Sequence, residues 1–216
     1  MVGPNLFGTG GGENISFEVP LAERMRPRTL DEYAGQRHIL APGKALRSML
    51  DGGKAPSCIL YGPPGVGKTT LVRLIARVTG RVLLEINAVS AKVETLRDLV
   101  ERARGEKKLS ARSAIAFVDE IYHFNSRQQN VLLPAVETGD LILIGTTTEN
   151  PWFEINKTLL SRMVVYTLEP LASEEICELL ARALKDAERG LGRFGVRAER
   201  ETIERIAALS GGDARQ

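Results

Sequence analysis

The chain is predicted to fold as an α/β protein: a five-stranded parallel sheet sandwiched between helices, followed by a small helical lid. Three observations predict this. Short apolar runs alternate with amphipathic segments between residues 57 and 168, a glycine-rich turn joins the first run to the first long amphipathic segment, and after Pro170 only helical periodicity remains. Strands buried on both faces read as near-continuous apolar runs, and their alternation with helices produces a parallel sheet.

Taken in order, residues 1–19 carry Gly8, Gly10, Gly11 and Gly12 with little apolar periodicity and read as a mobile tail. A core is expected over residues 20–169. It opens with PLAERMRPRTLDEYAGQ, where Pro27 and Gly35 punctuate a short helical turn, and continues with a helix from Lys44 to Leu50 that Gly52 and Gly53 end. Strands are expected at Cys58 to Tyr61, Arg81 to Ile86, Ser113 to Val118, Leu141 to Gly145 and Met163 to Leu168. Helices are expected between them at Thr70 to Val78, Val93 to Ala103, Arg127 to Val136 and Ile155 to Leu160, with a turn at Asn150-Pro151. The lid, residues 170–216, is read as a helix from Ser173 to about Arg189, a Gly190 to Gly195 linker, a helix from Glu199 to Leu209, and a Gly211-Gly212-Asp213 turn into an incomplete third helix. The chain is therefore expected to be part of a longer protein.

Composition narrows the class. With 216 residues, 43% hydrophobic and 26% charged, the chain can bury a full core. No apolar run approaches the roughly 20 residues that span a bilayer, and no basic-then-apolar leader opens it, so the expectation is a cytosolic protein with no membrane partner. Cys58 and Cys177 lack metal-ligand spacing and are expected to be buried thiols. A net charge of +2 gives no nucleic-acid footprint by itself. Arg97, Arg102, Arg104, Lys107, Lys108 and Arg112 could form a local patch, but Glu94, Asp98, Glu101 and Glu106 among them favour a solvated helix face.

The chemistry is concentrated in SCILYGPPGVGKTT. Gly62, Pro63, Pro64, Gly65, Val66, Gly67, Lys68 and Thr69 fit G-x-x-x-x-G-K-[ST] at every fixed position, between a strand and a helix as that motif requires. Polyphosphate must lie against bare backbone. The glycines permit that approach, and N–H groups at a helix start then point at the phosphates. Lys68 supplies a point charge, Thr69 a hydroxyl for Mg²⁺, and Thr70 extends the loop's contact. ATP and Mg²⁺ are the expected cofactors.

The strand AIAFV ends in Asp119 and Glu120, placing one carboxylate for Mg²⁺ and the next for orienting water. Asn87 and the run Thr146-Thr147-Thr148 also end strands at that edge, although capping and turn chemistry would explain them equally. Arg162, at a helix-to-strand junction, and Arg215, beside Gly212-Asp213, are candidates for reaching phosphate, although an arginine is mostly a surface residue.

GPPGVGKTT, AIAFVDE, the threonine-ended fourth strand, LLSR and GGDAR together resemble an AAA+ ATPase. PLAERMRPRTLDEYAGQRHIL, DEIYHFNSRQQNVLLPAVETGDLILIGTTTENPWFEIN and LLSRMVVYTLEPL are similar to the replication-associated recombination protein A family, whose eukaryotic relative is the Werner-helicase-interacting ATPase. The resemblance implies a Mg²⁺-dependent ATPase that assembles as a homo-oligomer and acts at stalled or gapped forks. Its partners would be single-stranded or forked DNA, single-strand-binding protein and replisome components, in a nucleoid-associated setting.

By the same resemblance Lys68 and Thr69 serve phosphate and metal, Asp119 and Glu120 metal and water. Thr148, or Thr147 beside it, is the first γ-phosphate sensor. Asn87 holds Glu120 inactive, Arg162 acts on a neighbour's nucleotide, Arg215 is the second sensor, and Tyr33 to Gln36 pack around adenine. His123 stands where an arginine is expected, and neither His38 nor His123 has metal partners. A Holliday-junction branch-migration motor, a clamp-loader subunit and an ATP-gated scaffold share enough of these motifs to stay open as alternatives.

Overall fold

A computed structural model describes residues 19–214. The glycine-rich tail, apart from its last residue, and Arg215 lie outside them. Three short helices come first: α1 (Leu21–Arg24), α2 (Arg37–Leu40) and α3 (Ala45–Asp51). The alternating unit follows as β1 (Cys58–Tyr61), α4 (Lys68–Thr79), β2 (Leu83–Asn87), α5 (Val93–Ser110), β3 (Ala114–Asp119), α6 (Ser126–Glu137) and β4 (Leu141–Thr147). Two short helices, α7 (Pro151–Glu154) and α8 (Lys157–Leu160), lead to β5 (Val164–Thr167). Beyond it, α9 (Ser173–Lys185) packs against α10 (Arg200–Leu209).

All five strands are parallel, in the order β2-β3-β4-β1-β5. Strand β3 shows why helices must cover both faces. Ala114, Ala116 and Val118 point into a core shared with Leu96, Leu99 and Ala103 of α5 and Leu132 of α6, while Ile115 and Phe117 point into a second core with Leu71, Leu74 and Ile75 of α4. Gly145 of β4 leaves room where the sheet is tightest, since a β-carbon there would lie 2.9 Å from Ile121 Cδ1.

Several boundaries differ from the sequence expectation, for identifiable reasons. Helix α5 continues past Ala103 to Ser110, carried by a polar outer face. The expected turn at Asn150-Pro151 instead starts α7: the Asn150 side chain accepts from Trp152 N, and Pro151 occupies the first helical position, where a missing N–H costs nothing. Asn156 caps α8 in the same way, so the expected turn and single helix are two short helices, with α8 starting at Lys157 rather than Ile155. Helix α9 stops at Lys185 because Asp186 Oδ1 accepts from the N–H groups of Glu188 and Arg189.

The basic residues of α5 are partly committed within the chain. Arg104 pairs with Glu101 and Asp140, and Lys107 with Asp140 at 2.8 Å. Hydrogen bonding from Lys107 holds the Asp140 carboxyl well below its usual range, at about 2.

The segment after β5 is fastened to the N-terminal arm. Arg182 Nη1 donates to Glu32 O at 2.7 Å, Arg189 bridges Glu32 and Asp186 at 3.0 Å each, and Gln36 exchanges two hydrogen bonds with the backbone of Glu169. The Arg28 N–H lowers the Glu32 carboxyl, and the Arg189 N–H lowers Asp186. A carboxylate depressed in the folded state contributes stability that is present above its unfolded pKa and lost as pH falls through its folded one. Urea-unfolding midpoints should therefore fall between roughly pH 5 and 3, and fall less steeply in Glu32→Gln/Asp186→Asn. Identical acid slopes for the two proteins would refute the clamp. Burial pushes the Cys58 thiol up to about 12. At pH 8 a thiol reagent should leave Cys58 unmodified until the protein is unfolded, read by mass spectrometry of the labelled peptides.

Candidate nucleotide site

Parallel register brings the chemistry to one edge. Tyr61 pairs with Thr147, Asn87 with Asp119, and Val118 with Gly145, so β1, β2, β3 and β4 all end together. Strand order reverses around β1, because the chain leaves β1 toward β2 on one side and leaves β4 toward β5 on the other. Ligands of open parallel sheets bind in the crevice at such a point.

The loop Gly62 to Gly67 leaves β1 there and enters α4. Gly65 (φ +78°) and Gly67 (φ +92°) sit in left-handed backbone that other residues rarely adopt. Gly67 also lies against Tyr33: a β-carbon would be 2.6 Å from the phenol oxygen, which donates to Gly67 O at 3.2 Å. Gly65 lies against Asp213, whose carboxyl group occupies the space an added β-carbon would need. Pro63 and Pro64 are exposed, Val66 is buried in the core, and Thr69 and Thr70 occupy the first turn of α4. Lys68 is 93% buried, and its ammonium donates to Gly62 O at 2.7 Å and Pro63 O at 2.9 Å. A buried cation must be satisfied by such acceptors, and these lie on the loop that would hold a phosphate.

At the ends of β3 and β4 a polar chain links the two acids. Glu120 N–H donates to Thr146 Oγ1 at 3.2 Å, and that hydroxyl donates to Asp119 Oδ1 at 2.5 Å. Thr146 is fully buried, so its hydroxyl is fixed by both bonds. Glu120 adopts φ +51°, ψ +58°, a conformation costing about 1–2 kcal/mol for a residue with a β-carbon. Its carboxylate accepts from Thr148 N at 3.1 Å and Thr148 Oγ1 at 3.4 Å. Thr147 is buried, with its hydroxyl bound to Glu149 O. Of the two threonines considered as sensor, Thr148 is the one that reaches Glu120.

Asn87, Tyr33 and Gln36 each have partners of their own in this structure. Asn87 stands beside Asp119 in register, but its side-chain oxygen accepts from Val89 N at 2.9 Å and Ser90 N at 3.4 Å. It closes its own turn, and among the described residues Thr148 holds Glu120 instead. Tyr33 braces the phosphate loop from below, with burial raising its phenol pKa, and Gln36 is tied to Glu169. Arg162 is paired with Glu137 at 2.6 Å and bonds to Thr158 O and Ser161 Oγ. Thr146 as the partner of Asp119, and Asp213 over Gly65, were not assigned from sequence; the alternation of β4 could have revealed the first, whereas the second is a contact across 148 residues (213 − 65).

The donor set fits Mg²⁺. Thr69 and Asp119 offer hard oxygens, and among the described residues no group of three or more His, Cys, Asp or Glu side chains forms a complete cage. A cation that keeps several waters and binds through one or two protein oxygens plus phosphate suits such a site.

The profile of the "ATPase family associated with various cellular activities (AAA)" matches residues 58–171. The chain is 46% identical over 197 residues to replication-associated recombination protein A of Escherichia coli K12, an alignment covering 91% of this chain and 44% of that protein. It is likewise 46% identical to the Coxiella burnetii protein of the same name, covering 92% and 44%. Its fold superposes on the Thermotoga maritima RuvB Holliday junction branch migration motor with a TM-score of 0.70 at 27% identity, covering 89% of this chain and 62% of that one. The chain thus spans under half the length of the curated relatives it matches. The family match runs from β1 to the segment beyond β5, over more than half of the chain, and the five-stranded parallel order agrees with the superposed fold: the chain belongs to the AAA ATPase family.

Proposed function

We propose that this chain is the nucleotide-hydrolysing core of a Mg²⁺-dependent ATPase that works on DNA during replication-associated recombination, with each nucleotide shared between two subunits. The observation that carries the reading is the placement of Glu120, held by Thr148 and linked through Thr146 to Asp119, at the sheet edge where the Lys68 loop emerges. Loop N–H groups and the Lys68 ammonium bind the β- and γ-phosphates, the ammonium exchanging the Gly62 and Pro63 carbonyls for phosphate oxygens. Thr69 and Asp119 would hold Mg²⁺, which would supply positive charge against the phosphates. Glu120 orients the attacking water and accepts its proton, and the Thr148 hydroxyl is then available to the γ-phosphate.

The bonds of Arg162 run to Glu137, Thr158 and Ser161 rather than to the phosphate loop, which suits a role on a neighbour's nucleotide in a homo-oligomer. Arg215 acts from the lid in this reading. DNA, single-strand-binding protein and replisome components are the partners, in the cytoplasm near the nucleoid. The division into a core at residues 20–169 and a lid from residue 170 belongs to the same proposal. A branch-migration motor shares the fold, but the higher identity to the recombination protein favours the first assignment.

Lys68→Ala should weaken binding of a fluorescent ATP analogue at least about tenfold. Glu120→Gln should retain that binding while losing about 10²–10⁴-fold in turnover. Full turnover in Glu120→Gln would remove the water-activating role. In the full-length protein, ATPase activity should rise more steeply than linearly with concentration, and Arg162→Ala should lose up to about 10³–10⁵-fold. Mixing Arg162→Ala with Lys68→Ala subunits should restore activity, because the mixed interfaces contain one intact loop and one intact arginine; no restoration would exclude a shared site.

A further inference from the structure

Arg162 follows the last turn of α8, and its guanidinium is held at three points. Nε meets Glu137 Oε1 at 2.6 Å, while Nη1 donates to Thr158 O at 2.8 Å and to Ser161 Oγ at 2.7 Å. Glu137 is the last residue of α6, whose N-terminal end follows the Glu120 turn. The two side chains are 39% and 41% exposed, and an ion pair so open to solvent adds little to folding stability. What the arrangement does achieve is orientation. Nε and Nη1 are both fixed within the chain, whereas Nη2 has no recorded partner among the described residues.

We propose that Glu137 is a positioning residue for Arg162, holding the guanidinium at the angle from which it meets the nucleotide of a neighbouring subunit. This rests on the shared-site reading given above. A long arginine side chain otherwise loses rotamer freedom at the moment it engages phosphate; anchoring two of its nitrogens beforehand removes that loss from the reactive encounter. The carboxylate also opposes the incoming negative charge, so a brake on Arg162 is the rival role. The two roles predict opposite signs.

The test uses mixtures of full-length subunits. Arg162→Ala chains supply intact phosphate loops, and Lys68→Ala chains supply intact Arg162. Adding Glu137→Ala to the Lys68→Ala chain, beside the arginine in use, should lower kcat of the mixture about 10- to 100-fold with KM little changed. Adding it instead to the Arg162→Ala chain should change nothing, because the arginine it positions is already absent. Glu137→Gln, which keeps an oxygen for Nε, should restore most of the activity. An equal loss in both mixtures would show a general structural effect and overturn the proposal, and so would unchanged or increased kcat in the first. If the parent mixture lacking any Glu137 change shows no activity, it is the shared-site reading that fails, and this inference falls with it.

Discussion

The pairing of β1 with β4 is the constraint on which the site depends. It sets Tyr61 opposite Thr147, so the loop leaving β1 emerges beside the polar run that ends β4. Because β3 is the next strand over, in register at Val118 and Gly145, Asp119 and Glu120 fall within reach of Thr146 and Thr148. A one-residue slip would turn every one of these side chains to the opposite face. The double-sided core makes such a slip costly: Ile115 and Phe117 would exchange places with Ala114, Ala116 and Val118, putting large side chains where small ones pack.

Polar groups at this edge are satisfied in a way that links them. The buried Thr146 hydroxyl accepts from one acid's backbone and donates to the other acid's carboxylate, so Asp119 and Glu120 move as a unit. Glu120 departs from ordinary backbone geometry at the residue where the chain turns from strand into the 3₁₀ turn at Ile121–His123. The buried Ile121 and the two bonds from Thr148 maintain that conformation. Strain held at a functional residue by its surroundings is a recurrent feature of catalytic sites.

Much of this was legible in the sequence because it rests on local chemistry. Five apolar runs mark five strands, and the fixed positions of the glycine-rich loop mark the candidate phosphate site. The capping asparagines were harder to place. Asn150-Pro151 has the composition of a turn and also that of a helix start, and only the chain beyond decides between them. Asn87 shows the same ambiguity: its side chain can serve its own turn or a distant carboxylate, and the local bonds to Val89 and Ser90 win here. The Tyr33 brace, the Asp213 contact and the Glu137–Arg162 pair join residues 34, 148 and 25 positions apart (67 − 33, 213 − 65, 162 − 137), which no periodicity encodes.

The phosphate loop is supported from two directions at once. Tyr33 of the N-terminal arm presses on Gly67, and Asp213, beyond α10, presses on Gly65. Those two supports are themselves joined, since Arg182 and Arg189 bond to Glu32, the residue before Tyr33. Gln36 adds a paired bond to Glu169 at the end of β5. A change in loop shape would therefore strain the contacts to the arm and to the segment beyond α10. Such tight, directional contacts favour two discrete arrangements over gradual deformation, because close-packed groups slide poorly past one another. The arm and the helical pair are in this way tied to the loop and to each other by one set of contacts.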